Sequence, residues 1–347
     1  MLNIKIFFLI FFEIKLLIFV ESYGSLLRSQ YKPGNAMYLY LLCFESYFHD
    51  PGRCIPQFVY FFESFVLYKN DVVTCDTSRN KCGYYVLVSE ARKVIILVFS
   101  GTLNNNQIAK QVFSLLKQKI YYSNSGYVNK YYAESFEMVW LHAKKVFLVH
   151  RYRNYKVYIT GHSMGSVFAS LAAYKLSYGG YRKAKDIHLY TFGGPRFGTP
   201  EFARNFDKKV PNSWRVVVGS DFIAHFPPCK KVKNRNLKFF NKIFKKRISR
   251  PCDPNFPNGY YHHGTEIWYP AGTNRKYYVC NGKPKNEDFD CSDGLFFRKR
   301  NLRQHRYNHS EYFKDLTDKY FYMFYYKADK NCKIQKNSKI RRPKLVN

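Results

Sequence analysis

The segment Thr160-Gly161-His162-Ser163-Met164-Gly165-Ser166 constrains this chain more than any other. Before it, Tyr155-Lys156-Val157-Tyr158-Ile159 alternates in the manner of a strand. After it, Val167 to Leu176 is rich in small and apolar residues, as a packed helix is. A strand that turns into a helix through G-x-S-x-G has little freedom of geometry. The turn is sharp, the serine backbone is strained, and a side chain at Gly161 or Gly165 would collide with the turn. Ser163 then stands above the edge of a sheet. The new helix aims its N-terminus, with unbonded N–H groups and a positive dipole end, at the serine. An ordinary glycine-rich turn can carry the same letters, so the rest of the chain must decide.

Strands and helices alternate on both sides of this turn. Gly83–Ser89 reads as a strand, and Val94–Phe99 is a near-continuous apolar run, as expected of a central strand covered on both faces. Ile108, Val112, Leu115 and Leu116 give the stretch Leu103–Lys117 one apolar helical face. Tyr132, Phe136, Val139, Trp140, Ala143 and Phe147 give a longer helix its stripe. Further strands are expected at Ile187–Phe192, Trp214–Val218 and Thr265–Tyr269, a helix at Glu201–Lys208, an early helix at Ala36–Phe48 and a final one at Glu311–Phe321. This is the pattern of an α/β fold with a mostly parallel sheet, in which function gathers at the carboxyl ends of strands. Ser163 and Asp221 both lie just past such ends.

The termini and the charge define the setting. Met1–Ser22 has an early Lys5, an apolar run and a small residue at Ser22, the layout of a secretory signal peptide, although Glu13 and Lys15 interrupt it. The domain is then 23–325, followed by a basic tail, 326–347. The chain has 57 Lys and Arg against 24 Asp and Glu, a net charge of +33. Much of that charge follows a general bias of composition. Its densest stretch is an insert at 230–250, with Leu237, Phe240, Phe244 and Ile248 at helical spacing and no acidic residue. Such a basic amphipathic segment suits attachment to an anionic lipid surface. The alternative is a solvated loop anchored by cysteines. No nucleic-acid module frames the patch, so no nucleic acid is expected as a partner.

Nine cysteines in an exported chain read as disulfides, which makes the fold disulfide-stapled. Cys75 and Cys82 close one short loop, Cys280 and Cys291 another, and Cys229 and Cys252 bracket the insert. Cys332 can reach Cys54 or Cys43, leaving one of them free. His305 and His309 have the spacing of a metal-binding pair but lack a third ligand, so neither a metal nor a cofactor is called for.

A serine hydroxyl becomes nucleophilic only beside an imidazole base that a buried carboxylate orients. The chain order for this kind of turn is Ser, then Asp or Glu, then His. Asp221 fits the acid, with a turn-capping role as its alternative. Of the histidines that follow, His225 is too close in sequence. His262 and His263 sit at the wrong end of their strand. His305 and His309 precede the final helix, and Asn308 or Ser310 can cap it. His309 is the choice, with His263 second. Two backbone donors for the developing oxyanion would be the N–H of Met164, after the nucleophile, and a group at Thr102, after the strand that ends at Phe99.

Together these blocks resemble the fungal-type, class 3 lipase family of secreted α/β-hydrolases. The matching segments are Val98-Phe99-Ser100-Gly101-Thr102, the glycine-flanked serine, Tyr190–Gly198, Val216–Pro228, Tyr261–Trp268 and Asn308-His309-Ser310, in order across roughly 85 to 315. The resemblance implies a triad on Ser163, Asp221 and His309, an oxyanion hole on Thr102 and Met164, and a lid on Asn104–Lys117. It supports His309 over His263 and a Cys280–Cys291 disulfide. It implies hydrolysis of triacylglycerols and related esters at a lipid–water interface by a secreted, extracellular enzyme. A phospholipase or galactolipase, or an inactive lipid-binding relative, are the competing readings. The chain departs from the family pattern at Ser100, where arginine is usual, at Ser166 in place of a second glycine, and at Asn129 in place of histidine. It also lacks the usual Val-Pro after Asp221, and the insert is extra. Ser100 is expected to loosen the oxyanion loop, and Ser166 to tighten the packing behind Ser163. If His309 is the base, the sequon Asn308-His309-Ser310 is expected to be too enclosed for glycosylation.

Overall fold

The structure, a computed structural model, describes residues 31–48, 51–102, 118–233, 249–282, 284–297 and 302–327. The chain divides into Met1–Pro33 and Gly34–Asn347, and the architecture below belongs to the second unit. The expected signal peptide, the lid at 104–117, the apolar stripe of the insert and nearly all of the basic tail lie outside the described residues.

An eight-stranded sheet runs in the order β1-β2-β3-β6-β7-β8-β9-β10. These strands are β1 (Val66–Thr74), β2 (Lys81–Ser89), β3 (Val94–Phe99), β6 (Lys156–His162), β7 (Ile187–Phe192), β8 (Ser213–Val218), β9 (Thr265–Tyr269) and β10 (Tyr278–Cys280). The five from β3 to β9 are parallel, and both flanks are antiparallel. Two three-residue strands, β4 (Lys119–Tyr121) and β5 (Tyr127–Asn129), pair separately. The mostly parallel α/β sheet and the central strands are as the sequence pattern predicts. The edge strands β1 and β10 and the β4–β5 hairpin are additions.

Helix α1 (Pro33–Glu45) ends three residues short of its expected limit. Helix α2 (Lys130–Ala143) begins at Asn129, whose side chain accepts from the Tyr132 N–H and so caps one of the unbonded first-turn donors. The amide nitrogen of Asn129 donates to the Tyr260 hydroxyl, 3.1 Å away. Asn129 thus has defined work where the family pattern carries histidine. Helix α3 (Met164–Tyr178) is buried on nearly every side, because it crosses the sheet centre beneath α2. Phe99, Phe136 and Phe168 interlock there, with ring centroids 6.0–6.3 Å apart. Each fully buried ring of this kind contributes roughly 1.5–3 kcal/mol. Helix α4 (Pro200–Lys209) is capped by Thr199 with proline in its first turn. Helices α5 (Leu302–Asn308) and α6 (Lys314–Lys327) close the described chain. Since α6 begins at Lys314, neither Asn308 nor Ser310 caps it.

Disulfides join Cys75–Cys82, Cys229–Cys252 and Cys280–Cys291, the three expected pairs. Cys54 is also disulfide-bonded, and among the described residues Cys43 is free and buried. No helix among the described residues is long and apolar enough to cross a membrane.

Candidate active site

The parallel sheet delivers Ser163 and Asp221 to one edge by topology alone. β6 ends at His162, and Ser163 follows with φ 56° and ψ −125° before α3 begins. That left-handed conformation costs an ordinary residue about 1–3 kcal/mol, so surrounding structure must hold it. Ser163 N–H donates to the Phe192 carbonyl at 3.0 Å. A Cβ on Gly161 would overlap the backbone of Gly165, and one on Gly165 would overlap the Phe99 carbonyl. Both glycines are therefore sterically required, as the motif predicts.

Two strands away, β8 ends at Val218 and Asp221 follows, fully buried. His309 lies just beyond α5. Its Nδ1 is 2.9 Å from Asp221 Oδ2 and 3.1 Å from Oδ1. An ionised carboxylate accepts only, so Nδ1 carries a proton, and in the neutral ring Nε2 is then the lone-pair nitrogen. Asp221 Oδ2 also accepts from the Tyr312 hydroxyl at 2.7 Å, and Oδ1 from the Ile223 N–H at 2.9 Å. Burial pushes the Asp221 carboxyl up, but His309, the Tyr312 hydroxyl and His162 together outweigh it and hold the group below its ordinary range. Close packing allows nothing larger than glycine at 193: a Cβ there would be 2.6 Å from Asp221 Oδ2 and 2.9 Å from His309 Nδ1.

The base ring is carried to the serine's neighbour. The His309 and His162 rings lie 4.5 Å apart, and the His309 carbonyl is bonded to His162 Nε2 at 2.9 Å. His309 is thus paired with Asp221 and packed against His162, the residue that precedes Ser163. His263 is not: it is buried, packed on Phe206 with ring centroids 4.0 Å apart, and bonded to Ser170 Oγ at 3.1 Å. His305 turns its Nδ1 to Ser220 Oγ at 2.7 Å, and Asn308 donates to the same hydroxyl at 3.1 Å. The acid loop and the segment that carries His309 are thereby tied together. The Asn308 amide nitrogen, which a glycan would need, is committed to that bond.

Thr102 follows β3 by three residues, and Met164 is the first residue of α3. β3 and β6 pair with Phe99 opposite Gly161, so the loop that carries Thr102 runs alongside the turn at Ser163. Ser100, at the start of this loop, is tied to the turn after α1. It is buried, and its hydroxyl donates to the Ser46 carbonyl at 2.8 Å. Ser166 Oγ donates to the Ser163 carbonyl at 2.5 Å, and a Cβ on Gly194 would overlap it. Ser166 thus fills the space between the Ser163 turn and Gly194. Sequence reasoning missed Tyr312, His162 and Tyr47. Tyr312 had one signal, its place three residues after His309.

Buried histidines, His162 in the site and three outside it, set the pH response of stability. Burial, then the neighbouring His309, lowers His162 to about 3. Burial first, then nearby arginines, holds His225 and His262 well below the ordinary imidazole value, as burial and Arg215 do for His263. Unfolded imidazoles bind protons near pH 6.5, whereas these do not. Below that pH the unfolded chain therefore holds more protons, and stability falls with pH. Glu45 acts in the opposite sense. Burial raises it to about 8, so its contribution is full below its unfolded value and is lost as pH rises through 8. The histidine gain is complete near pH 6.5, above which the Glu45 contribution is still being lost, so maximum stability is expected near pH 6.5 with a decline toward pH 8. Urea midpoints recorded from pH 4 to 9 would show a dome; a flat profile between pH 7 and 4 would contradict the neutral-histidine account.

Comparison with known proteins now adds to the geometry. The family model for lipase (class 3) matches residues 96–231. A lipase of Caenorhabditis elegans is 36% identical over 287 residues, 82% of this chain and 80% of its own length. A lipase of Rhizopus niveus is 28% identical over 223 residues, 61% of this chain and 47% of its own length. Among solved structures, a Rhizomucor miehei lipase–propeptide complex superposes with a TM-score of 0.59 at 23% identity, covering 81% of this chain and 79% of that one.

Proposed function

The chain belongs to the class 3 lipase family, and from that premise we propose that it hydrolyses carboxylic esters of lipids through a Ser163–His309–Asp221 relay and an acyl-enzyme. His309 Nε2 takes the Ser163 proton as Oγ attacks the ester carbonyl. Asp221 stays ionised, keeps the proton on Nδ1, and stabilises the imidazolium that forms. The carbonyl oxygen becomes an oxyanion, received by the Met164 N–H at the positive end of α3 and by a donor at Thr102. His309 then returns its proton to the departing alkoxide. Water, deprotonated by the same nitrogen, attacks the acyl-enzyme and frees the fatty acid and Ser163. Each proton that leaves an oxygen returns to one, so no cofactor is needed.

One observation supports this reading most. The protonated Nδ1 of His309 is held on a buried carboxylate, while its ring lies against the residue next to a serine in the strained turn. An idle scaffold has no reason to maintain that strain. Triacylglycerols and related esters are the proposed substrates, and export is the proposed setting, since disulfides such as Cys75–Cys82 persist in oxidising compartments. A fluorophosphonate probe tests the mechanism. It is expected to label the wild-type protein at Ser163 and to leave Ser163→Ala unlabelled. An unlabelled wild-type protein would favour the inactive lipid-binding alternative.

A further inference from the structure

We propose that the turn Ser46-Tyr47, acting through His162, is a positioning element shared by the base and the oxyanion loop. The proposal rests on His309 being the base. Its evidence is a second chain of hydrogen bonds beside the triad. His162 Nε2 lies 2.9 Å from the His309 carbonyl oxygen, and its Nδ1 lies 2.8 Å from the Tyr47 hydroxyl. A carbonyl oxygen only accepts, so Nε2 carries the proton. His162 is buried and neutral, so Nδ1 is a lone pair and the Tyr47 O–H donates to it. The direction of the chain is thereby fixed, from Tyr47 to His162 to the main chain of His309.

This arrangement supplies what Asp221 cannot. Asp221 orients the His309 ring through Nδ1 but leaves open where its backbone sits. His162 fixes the backbone, and does so from the position covalently next to Ser163. Nucleophile and base are thus referenced to each other rather than to two independent loops. Aromatic walls hold the His162 ring in place: Tyr40 and Tyr312 meet it edge-on, with centroids 5.7 and 5.6 Å away. Space for the Tyr47 hydroxyl exists only because residue 101 is glycine, where a Cβ would overlap it.

The same turn reaches the other side of the site. Ser100 Oγ donates to the Ser46 carbonyl at 2.8 Å, which anchors the loop that leads to Thr102. The turn is itself secured on α1, since Ser46 Oγ donates to the Cys43 carbonyl at 2.6 Å and the Tyr47 N–H to the Phe44 carbonyl at 3.2 Å. Two adjacent residues outside the triad therefore support the base through one contact and the oxyanion loop through another. The short side chain of Ser100 is what permits the second.

Steady-state kinetics on p-nitrophenyl butyrate, with the full chain, test the proposal. Misplacing a reacting group by about 1 Å costs roughly 100-fold. His162→Phe is accordingly expected to lower kcat about 30- to 100-fold with KM within about twofold of wild type. His162→Gln, whose amide can still donate to the His309 carbonyl, should recover most of that loss. Tyr47→Phe should lower kcat about tenfold with an unchanged melting temperature. The proposal is overturned if Tyr47→Phe keeps kcat within about twofold of wild type, or if His162→Gln is no better than His162→Phe. Should His162→Phe fail to fold, Tyr47→Phe decides. His309→Ala, run in parallel, separates the two levels of argument: if it retains activity, the base assignment itself is wrong, whereas its loss alongside an unaffected Tyr47→Phe refutes the positioning element alone.

Discussion

Ser163→Ala is expected to lower kcat for a soluble short-chain ester by about a million-fold, with KM and melting temperature unchanged. The substitution removes one oxygen and leaves the rest of the turn alone. Alanine occupies the same left-handed conformation with the same strain, so stability should not rise or fall appreciably. Turnover that survives is the share due to oxyanion donors and substrate binding, which in serine hydrolases amounts to about 10³–10⁴ over water. The nucleophile and base act as one unit. Ser163→Ala combined with His309→Ala should therefore be no slower than either alone. Kinetics of all three proteins on p-nitrophenyl butyrate would check this. A Ser163→Ala rate within about tenfold of wild type, or single losses that multiply in the double variant, would sink the relay.

The residues in that prediction were legible because chemistry and local steric demand coincide in them. Gly161 and Gly165 are dictated by a turn that admits nothing larger, and spacing records that directly. Asp221 could be read because parallel strands place their following loops on one edge. Chain order, loop position and the family resemblance favour His309 over His263. In the fold, His263 is sealed against Phe206 and Ser170, a fate its position at the start of a strand foretells.

What escaped notice has a common physical cause. The hydroxyl of Tyr312 reaches Asp221 across 91 residues, and that of Tyr47 reaches His162 across 115. Tyr47 belongs to no local pattern, Tyr312 has only its place three residues after His309, and a chain with 32 tyrosines offers little reason to single out two. Strand β1 was missed for a different reason. It is an edge strand whose residues are exposed or half-buried in no regular order and never fully buried, so no period-2 signal exists to be read. Ser100 illustrates a third limit. Its difference from the family pattern is plain in sequence, but its partner is not: the carbonyl that receives its hydroxyl belongs to Ser46, more than fifty residues away.

Arg196→Ala is expected to destabilise the protein by about 3–5 kcal/mol and to reduce activity even in the fraction that remains folded. The guanidinium is 1% exposed. Its Nε and one terminal nitrogen each lie 2.7 Å from a Glu287 carboxylate oxygen, a bidentate pair. Burial works against both charges, yet Arg196 holds Glu287 below the usual carboxylate range, and Glu287 holds Arg196 above its own value. Removing the arginine leaves that carboxylate buried with one fewer partner, and an unpaired buried charge is far costlier than a missing ion pair. The loss does not stop at Glu287. The remaining terminal nitrogen of Arg196 donates to the His225 carbonyl at 2.6 Å and the Pro227 carbonyl at 3.3 Å, both in the segment that continues from Asp221. Slack there passes to the acid, and from the acid to His309. Replacing both partners, Arg196→Met with Glu287→Leu, should recover part of the stability, because the Glu287 carboxylate is no longer stranded and Asp293, which also lies 3.4 Å from Arg196, keeps Lys231 at 2.7 Å. It should not recover activity, because the two carbonyls still lack a donor. Urea unfolding of the single and double variants, alongside ester kinetics measured well below their melting temperatures, separates these effects. A single-variant loss under about 1 kcal/mol would mean that the cluster is solvated and contributes little. Full activity in the double variant would mean that the loop after Asp221 holds its shape without Arg196.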